Sequence, residues 1–157
     1  MTKKIIYTDA NGEMCVVHPA YGDRLRPKGE TEDELLTRVA ARSIPTGTPF
    51  EIVDEPAVPT DRTYRNAWEW KNKIEVNMPK ARGIHMDRIR AVRNDKLKEK
   101  DTEFMKAFEA RDAALQAQIA AEKQVLRDIP QTFDLSIHTN PTALKAAWPT
   151  GLPRPAL

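Results

Sequence analysis

Apolar and polar positions change rhythm twice along the chain. Residues 3–18, KKIIYTDANGEMCVVH, hold two apolar runs around Asp9-Ala10-Asn11-Gly12. Asn-Gly tolerates positive φ at both central positions, so the stretch predicts a β-hairpin with a type I′ turn. Residues 19–30 are rich in turn formers and read as a loop. The segment TEDELLTRVAAR then opens with Thr31 and Glu34 at capping-box spacing and with acids in its first turn. Leu35, Leu36 and Val39 give this short helix one apolar face. Ile44-Pro45-Thr46-Gly47 ends it, and TPFEIVD (48–54) reads as a third strand. The expected N-terminal unit, residues 1–60, is ββαβ: a small antiparallel sheet with a helix on one face. A unit of that size is near the lower limit for independent stability and needs something to cover its other sheet face.

Beyond it lies DRTYRNAWEW (61–70), which carries two of the three tryptophans, Trp68 and Trp70. Residues 61–76 are expected to form a joint locking the sheet unit to the helices. Tyr64 and Trp68, four apart, share a face if the turn is helical, and Trp70 falls off that face as the better exposed contact.

From Asn77 the period becomes helical, and residues 77–148 are expected to form a hairpin-like helical unit. Asn77 can cap a helix starting near Pro79, with Met78, Ala81, His85, Ile89 and Val92 on one stripe. Its other faces carry Arg82, Arg88, Arg90, Arg93, Lys98 and Lys100. Near Asp101 the stripe loses phase, and Phe104, Met105 and Phe108 continue on another azimuth. The pattern predicts a kink there, with Asp101 as a new N-cap, or a short break. A further helix, DAALQAQIAAEKQVLRDI, places Leu115, Ile119, Glu122, Leu126 and Ile129 on one face and ends at Pro130. Residues 131–139 read as loop, and Asn140-Pro141 starts a short helix ending at Trp148-Pro149. Residues 149–157 are expected to be an extended proline-rich tail. The fold class that follows is α+β.

Composition refines this picture in a few respects. The chain has 157 residues, with 31% charged, 40% hydrophobic and 6% aromatic residues, which suits a small core and long solvated helices better than one deep globule. The net charge of +2 hides an asymmetry: residues 1–61 hold seven Lys/Arg against eleven Asp/Glu, and residues 62–157 hold eighteen against twelve. That basic excess is small for a nucleic-acid binder. The single cysteine, Cys15, cannot form an internal disulfide, which is compatible with a reducing compartment. The start of the chain has no apolar signal region, and no run approaches the length of a membrane span, so a soluble cytoplasmic origin is expected.

Candidate chemistry is sparse. His18, His85 and His138 are far apart and lack the companions that metal or acid–base sites require. Cys15 sits in the apolar run MCVV, where a buried inert thiol is expected rather than a nucleophile. Phosphate-cradling and nucleophile-elbow patterns are absent. The expectation is a non-enzyme without a cofactor or metal. The arginine-rich helix could track a phosphate backbone with Trp68 or Trp70 stacking bases. The acids between Asp87 and Asp101 instead suggest a solvated, internally paired face.

The segments DRTYRNAWEW, VNMPKARGIHMDRIRAVRNDKL, FMKAFEARD, AAEKQVLRDIP and LKAAWP form a set that resembles the small tail-assembly-chaperone-like proteins of tailed bacteriophages. The resemblance falls on Arg88, Arg90, Arg93 and Leu97, on Gln124, Leu126, Arg127, Asp128 and Pro130, and on Trp148 and Pro149. It implies a non-enzymatic protein acting by protein–protein contact in phage tail or tail-fibre assembly. Its implied partners are other tail or fibre proteins or a second copy of itself. Its implied location is the host cytoplasm during assembly, or the virion tail if it is a permanent component. The expected contact residues are Trp68, Trp70, Ile89, Val92, Arg93, Phe104, Phe108 and Trp148, with packing inside their own chain as the competing role.

Overall fold

In the computed structural model, which describes residues 2–156, the strand signals of the first third become a three-stranded antiparallel sheet of order β2-β1-β3. β1 (Lys3–Thr8) pairs with β2 (Met14–Val17) and with β3 (Phe50–Asp54), and α1 (Glu32–Ser43) intervenes in sequence. The fold is α+β, and the chain divides into two compact units, Met1–Asn77 and Met78–Leu157.

The hairpin between β1 and β2 forms as expected, with a different turn. Gly12 N–H donates to the Asp9 carbonyl at 3.0 Å, and Gly12 alone in the turn takes positive φ, +76°. A type I′ turn would need positive φ at Asn11 as well. The Asp9 carboxylate decides the outcome by accepting from Asn11 N–H at 2.9 Å and Glu13 N–H at 2.8 Å. At α1 the capping box is complete: Thr31 Oγ1 accepts from Glu34 N–H, and Glu34 Oε2 accepts from Thr31 N–H.

Alternation along β1 sends side chains to two separate cores. Ile5 packs with Leu36, Ala40 and Ile44 on the α1 face. Ile6 packs on the opposite face with Met14, Val53, Trp68 and Ile74. That second face is covered by a two-stranded hairpin absent from the sequence reading, β4 (Trp68–Trp70) paired antiparallel with β5 (Ile74–Val76). Its turn holds Asn72 at φ +60°, a conformation asparagine tolerates better than most residues. Tyr64 and Trp68 are both buried, at 3% exposure each, and Trp70 is half-buried against the same core. The stretch expected as a joint (61–76) therefore belongs to the first unit, which ends at Asn77.

The second unit is helical. α2 (Met78–Glu109) and α3 (Ala113–Thr132) run antiparallel, as the short connection and the contacts Ala107–Gln116 and Lys100–Glu122 require. α2 runs unbroken through Asp101, so neither the expected break nor a new N-cap forms there. Asp101 pairs with Lys123 instead of capping a new helix. The change of phase follows a change of neighbour: α2 meets the end of α4 (Pro141–Ala146) at His85, and meets α3 at Lys100 and Phe104. Ala107–Asp112 close the α2–α3 connection in a Schellman arrangement, with Asp112 N–H donating to Ala107 O and Arg111 N–H to Phe108 O. The αL position there is filled by Arg111, φ +55°.

α3 extends past Pro130 to Thr132, because a proline in the last turn removes only one hydrogen bond. Asp112 caps α3 and Asn140 caps α4 through side-chain acceptors. The tail is not simply extended. Leu152 is buried, its carbonyl accepts from Trp148 Nε1–H at 3.2 Å, and the Arg154 guanidinium donates to Lys145 O.

Candidate contact surfaces

The residues singled out from the sequence separate into three kinds of environment. Trp68 and Ile89 are buried, Ile89 completely. Trp70, the residue expected to be the exposed contact, is half-buried, and its Nε1–H donates to Glu51 Oε1 at 2.8 Å, which ties β4 to β3. Val92, Arg93, Phe104 and Trp148 are half-buried on their own helices or loops. Arg93 donates to the Asn94 side-chain oxygen, at 3.2 Å from Nε and 2.9 Å from Nη2. Phe104 lies under Lys123 Nζ, 5.3 Å from the ring centroid, a cation–π contact between α2 and α3. Of the eight, Phe108 alone is open to solvent, at 60% exposure.

Trp148 stands edge-on to His85, with centroids 5.7 Å apart and planes at 89°. His85 is fully buried, and its Nε2 lies 2.7 Å from the Ala147 carbonyl. An imidazole N–H donated to that carbonyl satisfies the end of α4. Burial pulls the His85 pKa below the usual histidine value against the opposing hydrogen bond to Ala147 O, and the charges of Arg88, Arg154 and His138 add to the lowering. The histidine is therefore a neutral packing element that holds α4 against α2.

The basic face of α2 is largely paired within the unit. Arg90 meets Asp87, Lys96 meets Glu99, and Lys98 meets Asp95, all at i,i+3 spacing. Lys100 is held by both Glu103 and Glu122 at 2.7 Å, which raises its pKa and lowers that of Glu122. Arg82 donates from Nε and Nη2 to the His138 carbonyl. These pairs offset part of the basic charge on α2.

Large apolar side chains are exposed in both units, with Leu25, Val125 and Ile137 standing singly among them. In the second unit Met105 (54%) and Phe108 lie one turn apart near the end of α2, and Leu115 (40%) opens α3. In the first unit Phe50 (45%) and Ile52 (44%) stand on β3, an edge strand. A cavity of about 340 Å³ lies beside Phe50, lined by the end of α1 and by Pro45–Thr48. The sequence reading missed Phe50 and Ile52. FEIVD is apolar on both faces, a signal that one of them would need a further cover. Among the described residues no group of three or more His, Cys, Asp or Glu is placed to hold a metal ion, and no helix is long and apolar enough to cross a membrane. No protein-family model, no curated protein and no solved structure matches the chain.

Proposed function

We propose that this protein is a non-enzymatic assembly factor for the tail or tail fibres of a tailed bacteriophage and acts by protein–protein contact. The observation that carries the reading is the end of the α2–α3 hairpin. There Phe108 and Met105 stand exposed on a helix otherwise dressed with paired charges. A large aromatic held on a rigid helix and surrounded by polar residues is the usual material of a binding hot spot. The resemblance of the motif set to tail-assembly-chaperone-like proteins suggests the biological setting. Trp68 packs within the first unit, and Ile89, Arg93 and Trp148 within the second, as scaffold.

The test is genetic. Deleting the gene from a phage that carries it is expected to give particles lacking tails or fibres in electron micrographs. Supplying the wild-type protein in trans restores them, and Phe108→Ser does not, although it leaves the helical circular dichroism unchanged. Full infectious particles from the deletion would sink the proposal. Mass spectrometry of purified virions then separates the two modes of action: stoichiometric copies identify a permanent component, and their absence identifies a chaperone that leaves.

A further inference from the structure

The edge of β3 has the properties of a self-complementary strand. β3 is an outer strand of the sheet, with Pro49 before it and Pro56 shortly after it. Prolines cannot donate to a ladder, so the pairing edge is limited to Phe50–Asp54. On the α1 face of this edge Phe50 and Ile52 are each nearly half exposed, because α1 packs over β1 and leaves the outer strand uncovered. Natural edge strands are commonly guarded by an inward charge or by a covering loop. Here the residues standing on that face are Phe50, Ile52 and Asp54, and two of the three are apolar.

Charge decides which occupant and which register fit. A parallel, in-register copy would set Glu51 beside Glu51 and Asp54 beside Asp54, which like-charge repulsion opposes. An antiparallel copy related by a two-fold axis normal to the sheet must centre on one residue. Centring on Glu51 again opposes two glutamates. Centring on Val53 pairs only three strand residues and brings Glu55 towards Glu51. Centring on Ile52 pairs all five: Phe50 with Asp54, Glu51 with Val53, and Ile52 with itself, with no like charges opposed. In that register the two Ile52 side chains meet at the axis. The two Phe50 rings flank them on the same face, beside the groove at the end of α1.

We infer that a second copy of this chain docks antiparallel on β3, centred on Ile52, to form a continuous six-stranded sheet. The contact is isologous, so it closes at a dimer and does not propagate through β3. A five-residue edge is roughly 17 Å long. It makes an interface smaller than the about 1,200 Å² of standard complexes, so the dimer is weak and concentration-dependent. Such an association becomes populated where many copies are brought together. It is independent of which tail or fibre protein the hairpin surface meets.

Sedimentation equilibrium of the full chain from about 5 to about 500 µM tests it, that range bracketing a weak interface. The expected result is a monomer–dimer equilibrium within that range. Ile52→Lys and Ile52→Glu, each placing a like pair on the axis, should weaken it by roughly tenfold or more. An equimolar mixture of the two should restore the dimer, because lysine then faces glutamate. Ile52 is well exposed, and unchanged circular dichroism confirms that both variants fold. The inference is overturned by a wild-type chain that stays monomeric throughout, by single variants that dimerise as well as wild type, or by a mixture that fails to recover. Because no phage component is present, a negative result here leaves the assembly role standing, and a negative deletion phenotype leaves the dimer standing.

Discussion

Trp68 and Trp70 sit two residues apart and do different work. Trp68 is nearly fully enclosed with Ile6, Met14, Val53 and Ile74, and it closes the sheet face that α1 leaves bare. Truncating a buried aromatic removes its transfer energy and leaves a cavity, so Trp68→Ala should cost about 3–5 kcal/mol. The checking measurement is thermal unfolding of the first unit. A variant that melts like wild type but loses partner binding would make Trp68 a docking residue instead. Trp70 is anchored through its indole to Glu51 and covers the margin of the same core. The sequence raised both tryptophans as contact candidates because aromatics serve cores and interfaces equally well. Only the pairing of Trp68 with Val76 and of Trp70 with Ile74 sets which side each presents to Ile6 and Met14.

At the scale of elements, α2 is the clearest case of length outrunning its own apolar pattern. Its buried positions, Ala81, His85, Ile89 and Ala107, are few for 32 residues. Ion pairs within the helix and across to α3 carry it over the charged middle. One flaw is correctable: Gly83 is exposed in mid-helix, and a methyl group there meets nothing within 4 Å. Gly83→Ala should therefore stabilise the second unit by about 0.5–1 kcal/mol, through the lower backbone entropy of the unfolded chain. A melting temperature that stays the same or falls would show that the glycine serves a contact. The helix starts at Thr31 and Asn140 were legible because capping is local chemistry, whereas the cap expected at Asp101 did not form. The β4–β5 hairpin was not, since three-residue strands are too short to display a period.

For the molecule as a whole, acid should act on the two units in different pH ranges. His85 has a folded-state pKa below its unfolded value near 6.5, so its neutral form is favoured on folding. Its contribution is full above that value and is lost as pH falls through the depressed folded pKa. Glu30 in the first unit is held below the usual carboxylate range by Arg38 and, secondarily, by Arg26. Its contribution persists until pH drops below about 4.5 and then fades. His18 shifts downward through partial burial and the nearby Lys4 and Arg62 charges, but it is exposed and weighs less. Hydrogen exchange at pH 7.5 and 5.5 should thus show the second unit losing more protection than the first. His85→Gln should flatten that difference. Equal losses in both units would refute the assignment.

The sequence by itself determined the class of the fold and where several elements begin. Asp9-Ala10-Asn11-Gly12 marked a hairpin, Thr31 and Glu34 a helix start, and Leu115, Ile119, Glu122, Leu126 and Ile129 a helical stripe, of which Ile119, Leu126 and Ile129 are buried. Each of these signals is written within a few residues and needs no distant partner. Tertiary structure decided what the local signals left open. Asp101 became an ion-pair partner because Lys123 comes within reach, and Pro130 stayed inside a helix because the last turn tolerates one missing bond. Trp68 became core because a three-stranded sheet had one uncovered face. Burial depends on what arrives from far along the chain, so the same FEIVD that reads simply as a strand leaves Phe50 and Ile52 exposed once β3 takes the edge.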